Sequence, residues 1–135
     1  MDLKFSFKKE NSSILGIIYR PMAEVLFWSK IDKYWLSVQM VIDTGADYSL
    51  LPKFMAEKLG ISLKKDCRIF HTRGVGGAEK VYFLPKTKVK LGHWERIIPV
   101  GFLDKDNIPP LLGRQKFLET FEVLFSPNHT VSFSV

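Results

Sequence analysis

The sequence predicts a mainly β domain with closely spaced turns and two short helices. Alternation is the first sign: Leu3, Phe5 and Phe7 interleave with Lys4, Ser6 and Lys8, and Phe121, Val123 and Phe125 repeat the pattern near the other end. That is the period of two that a half-buried strand needs. The second sign is the aromatic content, 11 Phe, 3 Trp and 4 Tyr, because flat bulky side chains pack well on a pleated surface. The third is the recurrence of glycine and proline between short apolar runs, which marks turns at close spacing.

Taken in order, Leu3–Lys8 reads as a first strand. Ile14–Arg20 and Met22–Trp28 are apolar enough for two more, with Pro21 breaking the chain between them. Ser29–Lys33 is polar and turn-like, and Trp35–Ile42 runs apolar into Asp43. Pro52 suits a first helical position and Gly60 a helix stop, so Phe54–Leu59 reads as a helix of about two turns. Arg68–Leu84 is split by Gly74-Val75-Gly76-Gly77, which suggests a hairpin whose tip needs positive φ. Thr87, Val89 and Leu91 alternate with lysines, Gly92-His93 turns the chain, and Glu95–Phe102 follows as a strand. After a loop at Asn107–Pro110, Arg114–Thr120 reads as a second short helix. Pro127-Asn128 turns into a last strand with Val131, Phe133 and Val135 on one face.

A length of 135 residues fits one domain, 1–135, able to bury most of its apolar surface. Apolar residues at 46% and charged residues at 25% argue against disorder. No run approaches the roughly 20 apolar residues that cross a bilayer. The best N-terminal apolar run, Ile14–Tyr19, ends at Arg20-Pro21, so neither a signal peptide nor a membrane partner is expected. Cys67 is alone and cannot close an intrachain disulfide, which agrees with a cytoplasmic location. The net charge of +6 raises the question of nucleic acid, but the lysines are scattered from Lys4 to Lys116 with only doublets at Lys8-Lys9 and Lys64-Lys65. Without a basic block or an interleaved basic and aromatic stripe, no nucleic-acid partner is expected. A basic nucleic-acid-binding β-barrel stands as the third reading, and steep salt dependence would reveal it.

The chemistry concentrates at Val41-Ile42-Asp43-Thr44-Gly45-Ala46-Asp47. A carboxylate directly after a buried-looking strand is costly unless several donors satisfy it. Gly45 lets the backbone turn and offer its N–H to that carboxylate, and Thr44 supplies a hydroxyl to brace the loop. An exposed Asp-Thr-Gly turn would read the same, and such a tripeptide arises by chance in about two or three per cent of chains this long. Three further features add weight: Leu111-Leu112-Gly113-Arg114 about 70 residues later, the hairpin tip at Arg73–Gly77 between the two, and Tyr19-Arg20-Pro21 some two dozen residues before. No metal site or cofactor is expected, since His71, His93 and His129 lack neighbours at ligand spacing. A Cys67–His71 nucleophile pair has no third orienting residue and no oxyanion hole to go with it.

The order and spacing of these motifs closely resemble the retropepsins, the retroviral aspartic proteases and their single-domain bacterial and eukaryotic relatives. The resemblance runs from about Tyr19 to Phe125 and includes Ser49-Leu50-Leu51-Pro52, leading into the first helix. It departs from the compact viral pattern in a longer Ser29–Tyr34 turn and extra residues at both ends. The resemblance implies a closed, mainly antiparallel β-barrel and an aspartic endopeptidase in which Asp43 is the catalytic acid and base. Thr44 would bond across a dimer axis, and Gly45 would offer its carbonyl to substrate backbone. Gly74, Val75, Gly76 and Gly77 would form a flap, and Leu112 and Gly113 would pack beneath the loop. Asp47 would touch substrate and pair with Arg114 of its own chain and Arg20 of a second copy. Ala46 stands where pepsin-like enzymes typically carry serine, which removes one donor and implies activity reaching towards near-neutral pH.

Peptide hydrolysis by this chemistry needs two carboxylates around one water, one as base and one protonated to polarise the scissile carbonyl. The chain has no second Asp-Thr/Ser-Gly, so it owns half a site and a two-fold axis must supply the rest. The expected partners are therefore a second copy and a peptide or protein substrate. A peptide-binding or regulatory dimer with little hydrolysis is the alternative, and the intact Asp43-Thr44-Gly45 argues against it.

Overall fold

The computed structural model describes residues 2–74 and 77–135. In chain order these form β1 (Leu3–Ser6), β2 (Lys8–Ser12), β3 (Gly16–Arg20), β4 (Met22–Ser29), β5 (Tyr34–Ile42), β6 (Ser49–Pro52), α1 (Phe54–Lys58), β7 (Arg68–Gly74), β8 (Gly77–Leu91), β9 (Trp94–Leu103), β10 (Leu111–Leu112), a 3₁₀ turn at Leu118–Thr120, β11 (Glu122–Ser126) and β12 (Thr130–Ser134). The main sheet has the order β4-β5-β10-β6-β9-β8-β7, and β4 also pairs with β8. That extra pairing joins the sheet back onto itself, so β4, β5, β10, β6, β9 and β8 make a closed barrel and β7 extends one side as a hairpin with β8. Closure removes the exposed edges that an open sheet would leave.

The barrel closes because its strands carry apolar side chains on one face. Ala23, Val25 and Phe27 of β4 point inward with Val38, Met40 and Ile42 of β5, and Val89, Leu91, Ile98, Val100 and Phe102 meet them from β8 and β9. Each fully buried Phe or Leu contributes about 1.5–3 kcal/mol relative to exposure. Helix α1 plugs one end with Met55 and Ala56, and Leu59 follows. Ser29 at the end of β4 donates its hydroxyl to the Lys58 carbonyl at 2.9 Å, tying that strand to the helix. Gly60 adopts φ +72°, and a Cβ there would stand 2.9 Å from the Ile31 nitrogen. The glycine therefore stops the helix and also lets the β4–β5 turn approach it.

Two smaller sheets flank the barrel. Strand β12 lies between β1 and β11, and Phe133 on β12 meets Phe5 and Phe121 edge-on at 5.9 and 5.7 Å. Strands β2 and β3 form a separate hairpin. Tyr19 on β3 stacks on His129 at 3.8 Å, which fixes the base of that hairpin to the β11–β12 turn.

The structure corrects several local expectations. The first strand ends at Ser6, and Lys8–Ser12 forms a strand of its own. That second strand is too polar to show periodicity and is held by pairing with β3. Pro52 closes β6 instead of opening the helix, since β6 pairs in parallel with β9 through Pro52 opposite Leu103. Only Leu118–Thr120 of the expected second helix is helical. Arg114 and Gln115 donate their N–H groups to the Ala46 and Asp47 carbonyls, and Lys116 has φ +57°, which no α-helix accommodates. Val135 lies beyond β12 and is exposed, unlike Val131 and Phe133. No helix among the described residues is long and apolar enough to cross a membrane.

Thr87 sits in β8 beside an irregularity in the β8–β9 register between Leu84 and Thr87. Its side chain is buried and its hydroxyl has no hydrogen-bond partner. An unpaired buried hydroxyl costs about 1–3 kcal/mol. Thr87→Val is therefore expected to raise stability by about 1 kcal/mol, read as a higher urea midpoint at unchanged slope. A lower midpoint would show that the hydroxyl is paired in solution.

Candidate active site

Strand β5 carries the chain outward and releases it at Asp43, where the ladder with β4 ends. Asp43 stays anchored through its backbone, donating its N–H to the Leu112 carbonyl at 3.0 Å. One residue earlier, Ile42 donates to Pro21 at 2.9 Å, and Val41 donates to Pro110 at 2.8 Å. The turn then folds back on the carboxylate: Gly45 N–H donates to Asp43 Oδ1 at 3.0 Å, and Ala46 N–H to the Asp43 carbonyl at 3.1 Å. Asp43 is partly exposed and Thr44 and Gly45 are exposed, so the acid faces a place where substrate can arrive.

The second clamp is β10. It pairs in parallel with β5, Leu111 opposite Val41 and Leu112 opposite Ile42, and in antiparallel with β6 through Leu50. Leu112 is fully buried beneath the loop. Gly113 donates its N–H to the buried Ser49 hydroxyl at 3.0 Å. A Cβ on Gly113 would collide with the Tyr48 carbonyl, and it would stand 2.9 Å from the Ser49 nitrogen. The position accepts only glycine because backbone lies directly against backbone.

Arg114 then reaches over the loop. Its Nη1 donates to the Thr44 carbonyl at 2.6 Å and its Nη2 to Asp47 Oδ1 at 2.5 Å. The side chains of Arg114 and Asp47 are 43% and 82% exposed, so within one chain this is a surface ion pair worth about 0–1 kcal/mol. The backbone bonds from Arg114 to Ala46 and from Gln115 to Asp47 hold the loop more firmly than the charges do. Arg20 lies elsewhere and already has a partner, Glu10, at 2.9 Å. The hydrogen bond from Arg20 holds the Glu10 carboxyl below its ordinary range, with Lys8 adding to the effect.

Tyr48 links this loop to the hairpin above it. Its ring lies edge-on to Phe83 at 5.5 Å and to Phe70 at 6.3 Å. A Cβ on Gly101 would stand 2.7 Å from that ring, so Gly101 makes room for it. Burial pushes the Tyr48 phenol above its usual value, and the negative charge of Asp47 adds to this. The hairpin pairs from Arg68–Phe83 to Gly74–Gly77, while Val75 and Gly76 lie outside the described residues. A hollow of about 250 Å³ opens beside the loop, walled by Thr44, Arg114, Leu118, Phe121 and Phe125.

Among the expected site residues, the fold brings together Asp43, Thr44, Gly45, Ala46, Asp47, Leu112, Gly113 and Arg114, and it leaves Arg20 apart. Sequence reasoning missed Tyr48, Ser49 and Gly101 as supports. Ser49 gives no signal in sequence, whereas an aromatic directly after the Asp47 carboxylate is a signal that could have been weighed. Cys67 is partly buried against the core. Burial, with Asp66 nearby, pushes its thiol up, away from the reactive thiolate. Among the described residues, no three His, Cys, Asp or Glu side chains gather as metal ligands would.

Residues 30–120 match the protein family described as "gag-polyprotein putative aspartyl protease". That stretch is well over half of the chain, and the protein belongs to the gag-polyprotein aspartyl protease family. Its fold is similar to the crystal structure of a retropepsin-like aspartic protease from Rickettsia conorii, with TM-score 0.65 and 21% identity over 98% of each chain. It is also similar to EIAV protease complexed with the inhibitor HBY-793, with TM-score 0.51 and 26% identity over 70% of this chain and 82% of that one. No curated protein matches the sequence.

The clamp at Gly113 yields a direct test. Gly113→Ala is expected to destabilise the fold by about 2–3 kcal/mol, because backbone, unlike a side chain, cannot rotate away from the added methyl. Urea unfolding of Gly113→Ala beside the wild type measures it, and a loss below about 1 kcal/mol would mean that β10 and β6 separate readily.

Proposed function

We propose that residues 1–135 form one protease domain that cleaves peptide bonds as a homodimer, with Asp43 of each copy supplying one of two carboxylates. The observation that carries this is the placement of Asp43. It is the single Asp-Thr-Gly aspartate of the chain, partly exposed, on a turn anchored through the Leu112 carbonyl and its own Gly45 N–H. Rigid support of this kind suits a group that must hold a reacting water in place.

In this reading, one Asp43 takes a proton from a water bound between the pair while the other, protonated, donates to the scissile carbonyl oxygen. The water oxygen bonds to the carbonyl carbon. The carbon–nitrogen bond then breaks as the leaving amine takes the proton that the first Asp43 accepted from the water, and a hydroxyl of the tetrahedral intermediate returns a proton to the second Asp43. Thr44 braces the two loops across the axis, and the Gly45 carbonyl and Asp47 hold substrate backbone. The β7–β8 hairpin, paired out to Gly74 and Gly77, covers the substrate and excludes water. Support for pairing comes from β11, an edge strand of its sheet with Leu124 and Phe125 exposed. In this arrangement Arg20 exchanges Glu10, its partner in the single chain, for Asp47 of the second copy.

Asp43→Asn tests the assignment. The variant should keep the size and fold of the wild type and lose at least about a hundredfold in peptide hydrolysis, because neither copy can then activate the water. A peptide-library digest compared between the two proteins reads the result. Turnover retained in Asp43→Asn would remove Asp43 from the chemistry.

A further inference from the structure

The outer face of the barrel, away from Asp43, carries a feature that the linear order of residues hides. The pairing registers set Trp35 beside Trp28 and Ser37 beside Leu26 across β5 and β4. They set Leu26 beside Lys90 across β4 and β8, and Lys88 beside Ile97 and Lys90 beside Glu95 across β8 and β9. Trp28 and Trp35 meet edge-on at 5.4 Å. Lys88 Nζ lies 5.5 Å from the Trp28 ring and 5.4 Å from Trp35, and Lys90 Nζ lies 4.7 Å from Trp35. Next to this platform is a hollow of about 500 Å³ lined by Lys30, Lys86, Lys88, Lys116, Pro85 and Ile97.

Four lysine side chains thus line one hollow without a carboxylate in its walls. Among the described residues, none of Lys30, Lys86, Lys88, Lys90 and Lys116 forms an ion pair. The nearby acids are Glu95, opposite Lys90, Asp32 in the β4–β5 turn, Glu24, which accepts from the Ser37 hydroxyl, and Glu119, which accepts from the Lys116 N–H. Clustered like charges destabilise a fold by repulsion unless an anion joins them. The lysines come from three separate segments, the β4–β5 turn, β8 and the stretch after β10, so the cluster arises from the fold alone.

We propose that this face binds single-stranded nucleic acid, its phosphates on the lysines and its bases stacked on Trp28 and Trp35. Charge alone would suit any polyanion. The indoles distinguish the nucleic acid: Lys88 and Lys90 cover the ring faces in the free protein, and as these lysines swing to phosphates the faces open to bases, each of which is flat enough to stack there. All five cations are lysines, point charges that meet a phosphate without bidentate geometry. The face therefore reads backbone and stacking, and it tolerates any base sequence. Its tryptophans sit at the opposite end of β4 and β5 from Asp43, and binding there does not depend on peptide hydrolysis.

A fluorescein-labelled single-stranded oligonucleotide of about 12 mixed bases, followed by anisotropy, is the probe. With four phosphates engaged, log K should fall with log salt at a slope of about −3, roughly a fiftyfold loss between about 50 and about 200 mM. Lys30→Glu with Lys88→Glu should weaken binding at least about tenfold and flatten that slope. Trp28→Ala and Trp35→Ala should each weaken it at least about fivefold. A duplex of the same sequence, whose bases cannot stack on the indoles, should bind more weakly. Absence of binding at about 50 mM salt, or an acidic peptide of equal charge displacing the probe as well as unlabelled oligonucleotide does, would overturn the proposal. Both lysines are exposed, so the charge-reversal variant and the peptide competition decide the matter if a tryptophan variant fails to fold.

Discussion

The active-site half of the molecule depends on one steric constraint, the passage of Leu112-Gly113 between two other stretches of backbone. On one side lies β5, whose Asp43 N–H reaches the Leu112 carbonyl. On the other lies Tyr48-Ser49, so close to Gly113 that no side chain fits there. A segment held on both sides cannot move without breaking ladder bonds to β5 and β6 together. The closing of the barrel therefore adds rigidity to the Asp43 turn beyond the turn's own bonds from Gly45 and Ala46.

That constraint also decides which interactions matter around the turn. Arg114 follows Gly113 directly, so its direction is set by the clamp, and its guanidinium lands on the Thr44 carbonyl and Asp47. Because Asp47 remains mostly exposed in the single chain, the ion pair contributes little until something covers it. A second copy meeting the molecule at Thr44 would exclude water from this pair and strengthen it, since desolvated pairs are screened far less than exposed ones. The same meeting would bring together two half-sites, so the assembly and the proposed chemistry draw on one surface.

Much of this was legible in sequence because the signals were local. The apolar run into Asp43, the glycine after the first helix and the alternation in β8 and β12 each follow from side-chain periodicity or backbone freedom. The Asp43 turn was legible because its glycine follows its acid by only two residues. What stayed hidden depends on pairing at long range. Lys8–Ser12 is a strand only because β3 lies beside it. Arg114–Phe117 leaves the helical path because Arg114 and Gln115 give their N–H groups to the Asp43 loop and Lys116 takes φ +57°. Arg20 meets Glu10 only through the β2–β3 register. The stripe of tryptophan and lysine is the strongest example, since its members are spread from Trp28 to Lys116 and meet only when β4 pairs with β8.

The central claim is that neither chain holds a complete site. Subunit mixing tests it most directly: wild-type and Asp43→Asn chains are combined in equal amounts, allowed to exchange, and assayed for peptide hydrolysis. If both carboxylates are required, only pairs of wild-type chains cleave, and the mixture should show about one quarter of the activity of wild type at the same total concentration. Activity at about one half, the value for chains that act alone, would contradict the account.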